Sequence, residues 1–334
     1  MYFPQPPKEK SFARAIFMTL ATTIFGLSIF LNIYLLAISG LMSGGLSRHK
    51  TLIDGDPTQV VAILPINGVI MGKSYENFEK MISRVDKDQN VKALVIEIDS
   101  PGGTVTASDE IYSRIRLFRN ENPNIPVVIS MRALAASGGY YIACAGDTIF
   151  AEPTTITGSI GVLLQKVNVS KLMDKWGVED TSQKSTGADF KDAGSAMKPE
   201  LERDRQYFQQ VIDDAFAQFK GIVASSRGKK LAAPIDAIAS GKIYTSSTAS
   251  NLGLIDRIGY PIDAAKFAIG QAKLAKPTVI RYEDSSTLMD LLGSESKVGS
   301  LSTSTGQNIN LNVNIDVAEL IRQRASLMYL YDGN

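Results

Sequence analysis

The sequence predicts an α/β fold with a parallel sheet buried on both faces, preceded by one membrane-spanning helix. Two observations predict the body. The short β-branched apolar runs Val60–Pro65, Ala93–Asp99 and Val127–Met131 read as buried strands, and Tyr75–Asp88 and Ala107–Arg119 between them have helical spacing. A third predicts the anchor: from Ala15 to Met42 there is no charged residue.

Composition sets the outer limits. At 334 residues the chain can bury a full α/β core, as one large domain or two small ones. A net charge of +1 gives no support to a nucleic-acid partner, which would show a basic surplus. The single cysteine, Cys144, cannot form an intrachain disulfide and, among apolar and small neighbours, reads as a core thiol. One His and one Cys provide no metal-ligand set, and Gly102-Gly103 lacks the third glycine of a dinucleotide fingerprint, so no metal and no cofactor is expected.

Taken in order, residues 1–14 form an N-terminal segment and 15–42 the anchor, a run longer than the ~20 residues that a helix needs to cross a bilayer. A cleavable signal peptide would have a shorter apolar region, and Ala37-Ile38-Ser39 is only a weak cleavage-like site. Lys8, Lys10 and Arg14 before the run, against Arg48 and Lys50 after it, place the N-terminus in the cytoplasm and the body outside it, by a small margin. Residues 43–58 read as a linker and 59–282 as the main domain. Within that domain Thr148–Ala151 is a candidate fourth strand. From Glu200 to Ser225 the apolar spacing of Leu201, Phe208, Val211, Ile212, Ala215, Phe216 and Phe219 predicts a long amphipathic helix. Residues 283–334 form an extension. Ser285 to Gly306 is rich in Ser, Thr and Gly, and Ile309, Leu311, Val313 and Ile315 alternate as in a strand. Leu327-Met328-Tyr329-Leu330-Tyr331 is apolar enough to dock on its own domain or a neighbour, and to fill a substrate groove as an inhibitor or product.

Two glycine turns carry the chemistry. Asp99-Ser100-Pro101-Gly102-Gly103 ends one strand, and Ala136-Ser137-Gly138-Gly139-Tyr140-Tyr141 follows the next. In a parallel sheet both lie at the carboxyl ends of strands, where sites form. Paired glycines bring bare N–H groups close to a ligand, which suits an oxyanion hole, and the N–H of Gly138 can serve as a second donor. A plain strand-to-helix turn and a serine N-cap have the same composition. If Ser137 is a nucleophile it needs a base, and the one histidine, His49, lies far upstream beside the anchor, so a Ser-His-Asp arrangement is not expected. A lysine is the alternative. Such a base needs its pKa lowered by ~3 units, hence an apolar setting. Lys191 has Phe190 beside it, yet Asp189 and Asp192 work the other way, and Lys166, Lys171, Lys184 and Lys198 stay open as rivals.

These stretches, with Thr157-Gly158-Ser159-Ile160-Gly161-Val162 and Ser185-Thr186-Gly187-Ala188-Asp189-Phe190-Lys191-Asp192, resemble the signal peptide peptidase A family, Ser/Lys membrane-bound peptidases of the Clp-protease/crotonase-like fold. The resemblance covers about Val60 to Ala272. It implies a repeated ββα core, Ser137 as nucleophile, Lys191 as general base and Ser159 as the hydroxyl that orients the lysine. Gly138 with Gly102 or Gly103 would supply the oxyanion hole.

Size and a single repeat look like the short form of that family. The short form assembles into dome-shaped homo-oligomers, octameric in known cases, with the serine and lysine of one site coming from neighbouring subunits. By the same resemblance the substrates are cleaved signal peptides and other apolar or misfolded segments. A crotonase-like acyl-CoA enzyme would share the oxyanion hole but not the anchor or the Ser137, Ser159 and Lys191 set. A non-catalytic membrane scaffold that kept the fold is the other alternative.

Overall fold

The computed structural model of the chain describes residues 10–42, 49–283 and 328–330. They divide into two units, the N-terminal helix and the body that begins at His49. The helix, α1 (Lys10–Met42), contains the predicted anchor and starts before it. Its stretch Ile16–Leu35 is long and apolar enough to cross a membrane, and its large side chains, Phe17, Phe25 and Phe30 among them, are exposed. A helix whose described side chains, Ile16–Leu35, are mostly apolar and all exposed is suited to lipid, and the chain is membrane-associated.

The body is built on a twisted, mainly parallel sheet. Its strands are β1 (His49–Ile53), β2 (Asp56–Asn67), β3 (Val91–Ser100), β5 (Val127–Ala136), β6 (Thr148–Ala151), β9 (Arg257–Ile258) and β10 (Pro277–Tyr282), and the order across the sheet is β1-β10-β2-β3-β5-β6-β9. From β10 to β9 every pairing is parallel, and β1 closes one edge antiparallel to β10. The crossovers are α2 (Gly72–Lys87), which follows β2, and α3 (Val105–Glu121), which follows β3. The short strand β4 (Gly102–Thr104) interrupts the second crossover.

Both faces of the sheet are covered, which is why its strands read as continuous apolar runs. Ala62, Leu64, Leu94, Ile96 and Ile129 point into the larger core beneath α2 and α3. The alternate residues Val61, Ile63, Ala93, Val95 and Val128 point the other way and pack on Ala264 and Ala268 of α9 (Pro261–Gln271). At the carboxyl ends on that second face the apolar lining stops. There Glu97, 3% exposed, accepts from Arg281 Nη2 at 2.6 Å and from Arg132 Nη1 at 3.4 Å, so one buried carboxylate joins β3, β5 and β10.

β5 is the strand that sets the site. Ile98 pairs with Met131, but Ser100 pairs with Ala135, so Arg132, Ala133 and Leu134 have no counterpart on β3. The irregularity is held by the Asp99 carboxylate, which accepts from the N–H of Leu134, and by Thr155 and Thr157, whose hydroxyls donate to the carbonyls of Arg132 and Ala135. Beyond it β5 exchanges β6 for β7 (Ile156–Gly158), and β7 pairs antiparallel with β8 (Ile243–Thr245).

The strands and helices predicted between Val60 and Ser225 are present, with the long helix observed as α6 (Glu202–Arg227). The 43–58 linker needs correction. From His49 onward the chain is already in the sheet, and β2 begins at Asp56, so a domain boundary at residue 59 would cut β2. Thr51, Leu52 and Ile53 suit a strand, but the partner that recruits them, β10, lies at the far end of the domain. The features expected at Ser285–Gly306 and Ile309–Ile315 lie outside the described residues.

Candidate active site

Ser137 sits between β5 and the short helix α4 (Gly138–Ala143). Its backbone has φ 54° and ψ −117°, a conformation that costs a non-glycine residue ~1–3 kcal/mol. The surroundings hold it there. The Ser137 N–H donates to the Gly158 carbonyl at 2.8 Å, and the Ser137 carbonyl accepts from the Tyr141 N–H at 2.8 Å. Tyr140 and Tyr141 are wholly buried and pin the helix from below. The Tyr140 hydroxyl donates to the Leu254 carbonyl and the Tyr141 hydroxyl to Asp109 Oδ1. Burial, with the Cys144 sulfur beside it, pushes the Tyr140 phenol well above its ordinary range, so it stays a donor. Ser137 occupies the N-cap position, yet its side chain makes no capping hydrogen bond. The turn thus leaves the hydroxyl free for other chemistry.

The two glycine turns meet. A Cβ on Gly138 would lie 2.4 Å from Ser108 Oγ, 3.2 Å from the Gly103 nitrogen and 3.3 Å from Gly102 Cα, so only glycine lets the start of α4 approach β4 this closely. Gly103 is equally constrained, since a Cβ there would strike the Ile70 carbonyl. On one side β4 bonds to Ile70, whose N–H donates to the Gly102 carbonyl and whose carbonyl accepts from the Thr104 N–H. On its other side runs the C-terminal strand β11 (Met328–Leu330), antiparallel, with Tyr329 opposite Gly103 and Leu330 opposite Gly102. The apolar tail therefore docks on its own domain, along the glycine turn and beside α3 and α4.

Ser159 follows the Gly158 that anchors Ser137. It too has a positive φ, 49°, is buried, and donates its N–H to the Lys242 carbonyl.

The lysines lie on the segment between β7 and α6. Three of the five candidates are committed to carboxylates. Lys166 Nζ is 2.6 Å from Glu200 and stands over the Phe208 ring. Lys184 Nζ donates to Asp192 Oδ1 at 2.6 Å, and Lys198 Nζ to Asp192 Oδ2 at 2.8 Å. The bond to Asp192 raises the Lys198 pKa, the wrong direction for a base. Lys191 and Lys171 are exposed and have no ion-pair partner among the described residues. Within this single chain Ser137, Gly138, Gly102 and Gly103 come together, while neither the Ser137 nor the Ser159 hydroxyl is hydrogen-bonded to Lys191. Among the described residues nothing gives Lys191 the apolar burial that a lysine base needs.

Sequence reading missed the supports of the serine turn. The Gly158 carbonyl, the Thr155 and Thr157 hydroxyls and Ser108 carry no local pattern that marks them. Cys144 is a core thiol as expected, and burial pushes it up to about 12.

A strained, uncapped serine on a strand-to-helix turn, against a second glycine turn of a parallel sheet, is an arrangement that suits serine-hydrolase chemistry. The sequence matches the model of peptidase family S49 over residues 119–275 and that of Clp protease over residues 61–156. A protein of Enterococcus faecium named as a signal peptide peptidase SppA is 34% identical over 72% of this chain and 71% of its own length. A Synechocystis protein named as a protease is 35% identical over 74% of this chain and 87% of its own. The chloroplastic serine protease SPPA of Arabidopsis thaliana is 34% identical over 67% of this chain and 33% of its own. The chain belongs to peptidase family S49 and is a serine peptidase.

Proposed function

We propose that the chain is a membrane-anchored endopeptidase that cleaves spent signal peptides and other apolar or misfolded segments, with Ser137 of one copy and Lys191 of a neighbouring copy forming each dyad. The observation that carries the serine is its strained, uncapped turn beside Gly102-Gly103. Sharing between copies is supported by the lysine segment, which exposes Leu172, Trp176, Val178, Phe190 and Met197. Apolar surface gathered on one segment favours an interface, and an interface would give Lys191 the apolar burial that the described residues of its own chain do not. A Clp-protease-like fold suits a homo-oligomer, and a closed ring, octameric or otherwise, satisfies a head-to-tail contact of this kind.

In this reading Lys191 takes the proton of Ser137 Oγ as the oxygen attacks a peptide carbonyl. Ser159 orients the lysine. The N–H of Gly138, with that of Gly102 or Gly103, holds the oxyanion. The proton passes to the leaving amine, and the lysine then activates the water that releases the acyl group. The substrate lies as an antiparallel strand on β4, the place that Met328–Leu330 takes in the chain itself. The basic residues Lys8, Lys10 and Arg14 favour a cytoplasmic N-terminus, with the body outside the cytoplasm.

The test is complementation, using full-length protein in detergent and a fluorogenic apolar peptide. Ser137→Ala and Lys191→Ala are each expected to be inactive with assembly intact by light scattering. Dissociated, mixed in equal amounts and reassembled, they regain about a quarter of wild-type activity if partners assort at random around a shared site. No recovery from a mixed oligomer places serine and lysine in one chain, and activity in Lys191→Ala moves the base elsewhere.

A further inference from the structure

We infer that Asp192 is a positioning residue for the catalytic lysine: clamped by Lys184 and Lys198, it fixes the turn that presents Lys191. This rests on the reading of Lys191 as the base.

Apart from the short helix α5 (Ser170–Trp176), no helix or strand spans the segment between β7 and α6, so side chains must set its shape. Both neighbours of Lys191 are tied down. On one side Asp192 uses one carboxylate oxygen for Lys184 and the other for Lys198, at 2.6 and 2.8 Å. Lys184 also donates to the Asp189 carbonyl at 2.9 Å, which closes the loop around the turn. On the other side the Phe190 ring packs 5.2 Å from that of Tyr207 on α6, with the Arg203 guanidinium 5.4 Å above it. Arg203 donates to the Asp189 carbonyl as well. Between them, among the described residues, Lys191 is held through its backbone N–H, which donates to the Ala188 carbonyl. Its side chain is the free member of a pinned turn.

Exposed ion pairs taken singly add little to stability. Here the consequence is geometric. A general base must lie within hydrogen-bond reach of its proton, and a displacement of about 1 Å can cost about 100-fold in rate. The arrangement also removes an objection raised by the sequence. Asp192 stands next to Lys191, yet both of its oxygens belong to other ammonium groups, so it does not pair with the base it adjoins.

The experiment compares Asp192→Ala, Asp192→Glu and the double variant Lys184→Ala/Lys198→Ala with wild type, as full-length protein in detergent on a fluorogenic apolar peptide. Assembly is followed by light scattering. Asp192→Ala and the double variant are expected to lower kcat about 10- to 100-fold with KM within about twofold and the oligomer intact. Asp192→Glu should recover most of the loss. An unchanged kcat in Asp192→Ala, alongside an inactive Lys191→Ala, overturns the positioning role and leaves the dyad standing. Loss of the oligomer in Asp192→Ala also overturns it, making Asp192 an assembly residue. Full activity in Lys191→Ala removes the base itself, and the inference with it.

Discussion

The backbone N–H of Ser137 donates to the carbonyl of Gly158 at 2.8 Å, so the serine turn and the Gly158-Ser159 turn are one rigid corner. Both serines adopt positive φ there. The left-handed conformation of Ser137 should invert an ordinary ranking. Alanine is normally better tolerated than glycine, but at φ 54° the glycine variant avoids the Cβ strain. Ser137→Gly and Ser137→Ala are both expected to be inactive, with the glycine variant more stable by ~1 kcal/mol. Urea unfolding of the pair decides this, and an alanine variant of equal or greater stability refutes it.

Gly138→Ala places a methyl group 2.4 Å from Ser108 Oγ. It should destabilise the protein by ~1–3 kcal/mol and reduce activity by moving the start of α4 away from β4. Removing the Ser108 hydroxyl as well, in Gly138→Ala/Ser108→Ala, relieves the closest contact and should return part of the stability. The double variant would regain less activity, because the Gly103 nitrogen remains 3.2 Å from the new Cβ. Purely additive losses would show that the clash lies elsewhere.

Asp256 gives the fold an acid limit. Burial opposes its charge, but hydrogen bonds from Arg227, Lys230 and the Ile149 N–H outweigh burial and bring it to about 2 from an ordinary 3.8. A depressed carboxylate stabilises above its unfolded pKa and loses that contribution as pH falls through its folded one. About 2 kcal/mol should therefore disappear between about pH 5 and pH 2. Asp256→Asn should be less stable at neutral pH and show a shallower acid loss. Parallel stability curves for the two proteins would rule this out.

Cys144 is 2% exposed and its thiol stays protonated at any physiological pH. Only thiolate reacts with iodoacetamide, so alkylation of the native protein should be slow and should accelerate sharply in denaturant. Prompt native labelling with one equivalent would mean that the α4 region opens.

Deleting the residues after Arg324 removes β11 and bares the free edge of β4. If Met328–Leu330 occupies the substrate's place, KM for a short apolar peptide should fall several-fold while kcat holds. Unchanged KM and kcat would make the pairing incidental.

Much of the body was legible because its strands are buried on both faces and stand out as β-branched runs. Ala93–Asp99 and Thr148–Ala151 are examples. Ser137 could be picked as a candidate because two glycine turns follow two successive strands, although a plain turn or a serine N-cap has the same composition. What escaped depended on distant partners. His49–Ile53 became a strand only because β10 receives it. The irregularity in β5 depends on Asp99, Thr155 and Thr157, whose hydrogen bonds leave no periodic trace. Asp192 was read by its charge alone, and only three-dimensional placement shows that two other lysines take that charge. Residue type could not separate the five lysines; ion pairing sets Lys166, Lys184 and Lys198 apart but leaves Lys191 and Lys171 alike.

The position of β10 has a consequence for the order of assembly. This strand comes late in the chain but is inserted between β1 and β2, among the earliest. Until Tyr282 has been synthesised and has reached the sheet, the β10-facing backbone edge of β2 is unpaired, and the α9 cover of its Val61 and Ile63 face comes only shortly before. Contacts this far apart in sequence form slowly and leave an open strand as a template for wrong pairing. A nascent copy would spend most of its synthesis with its central sheet half built. Its vulnerability to aggregation should therefore peak just before β10 arrives.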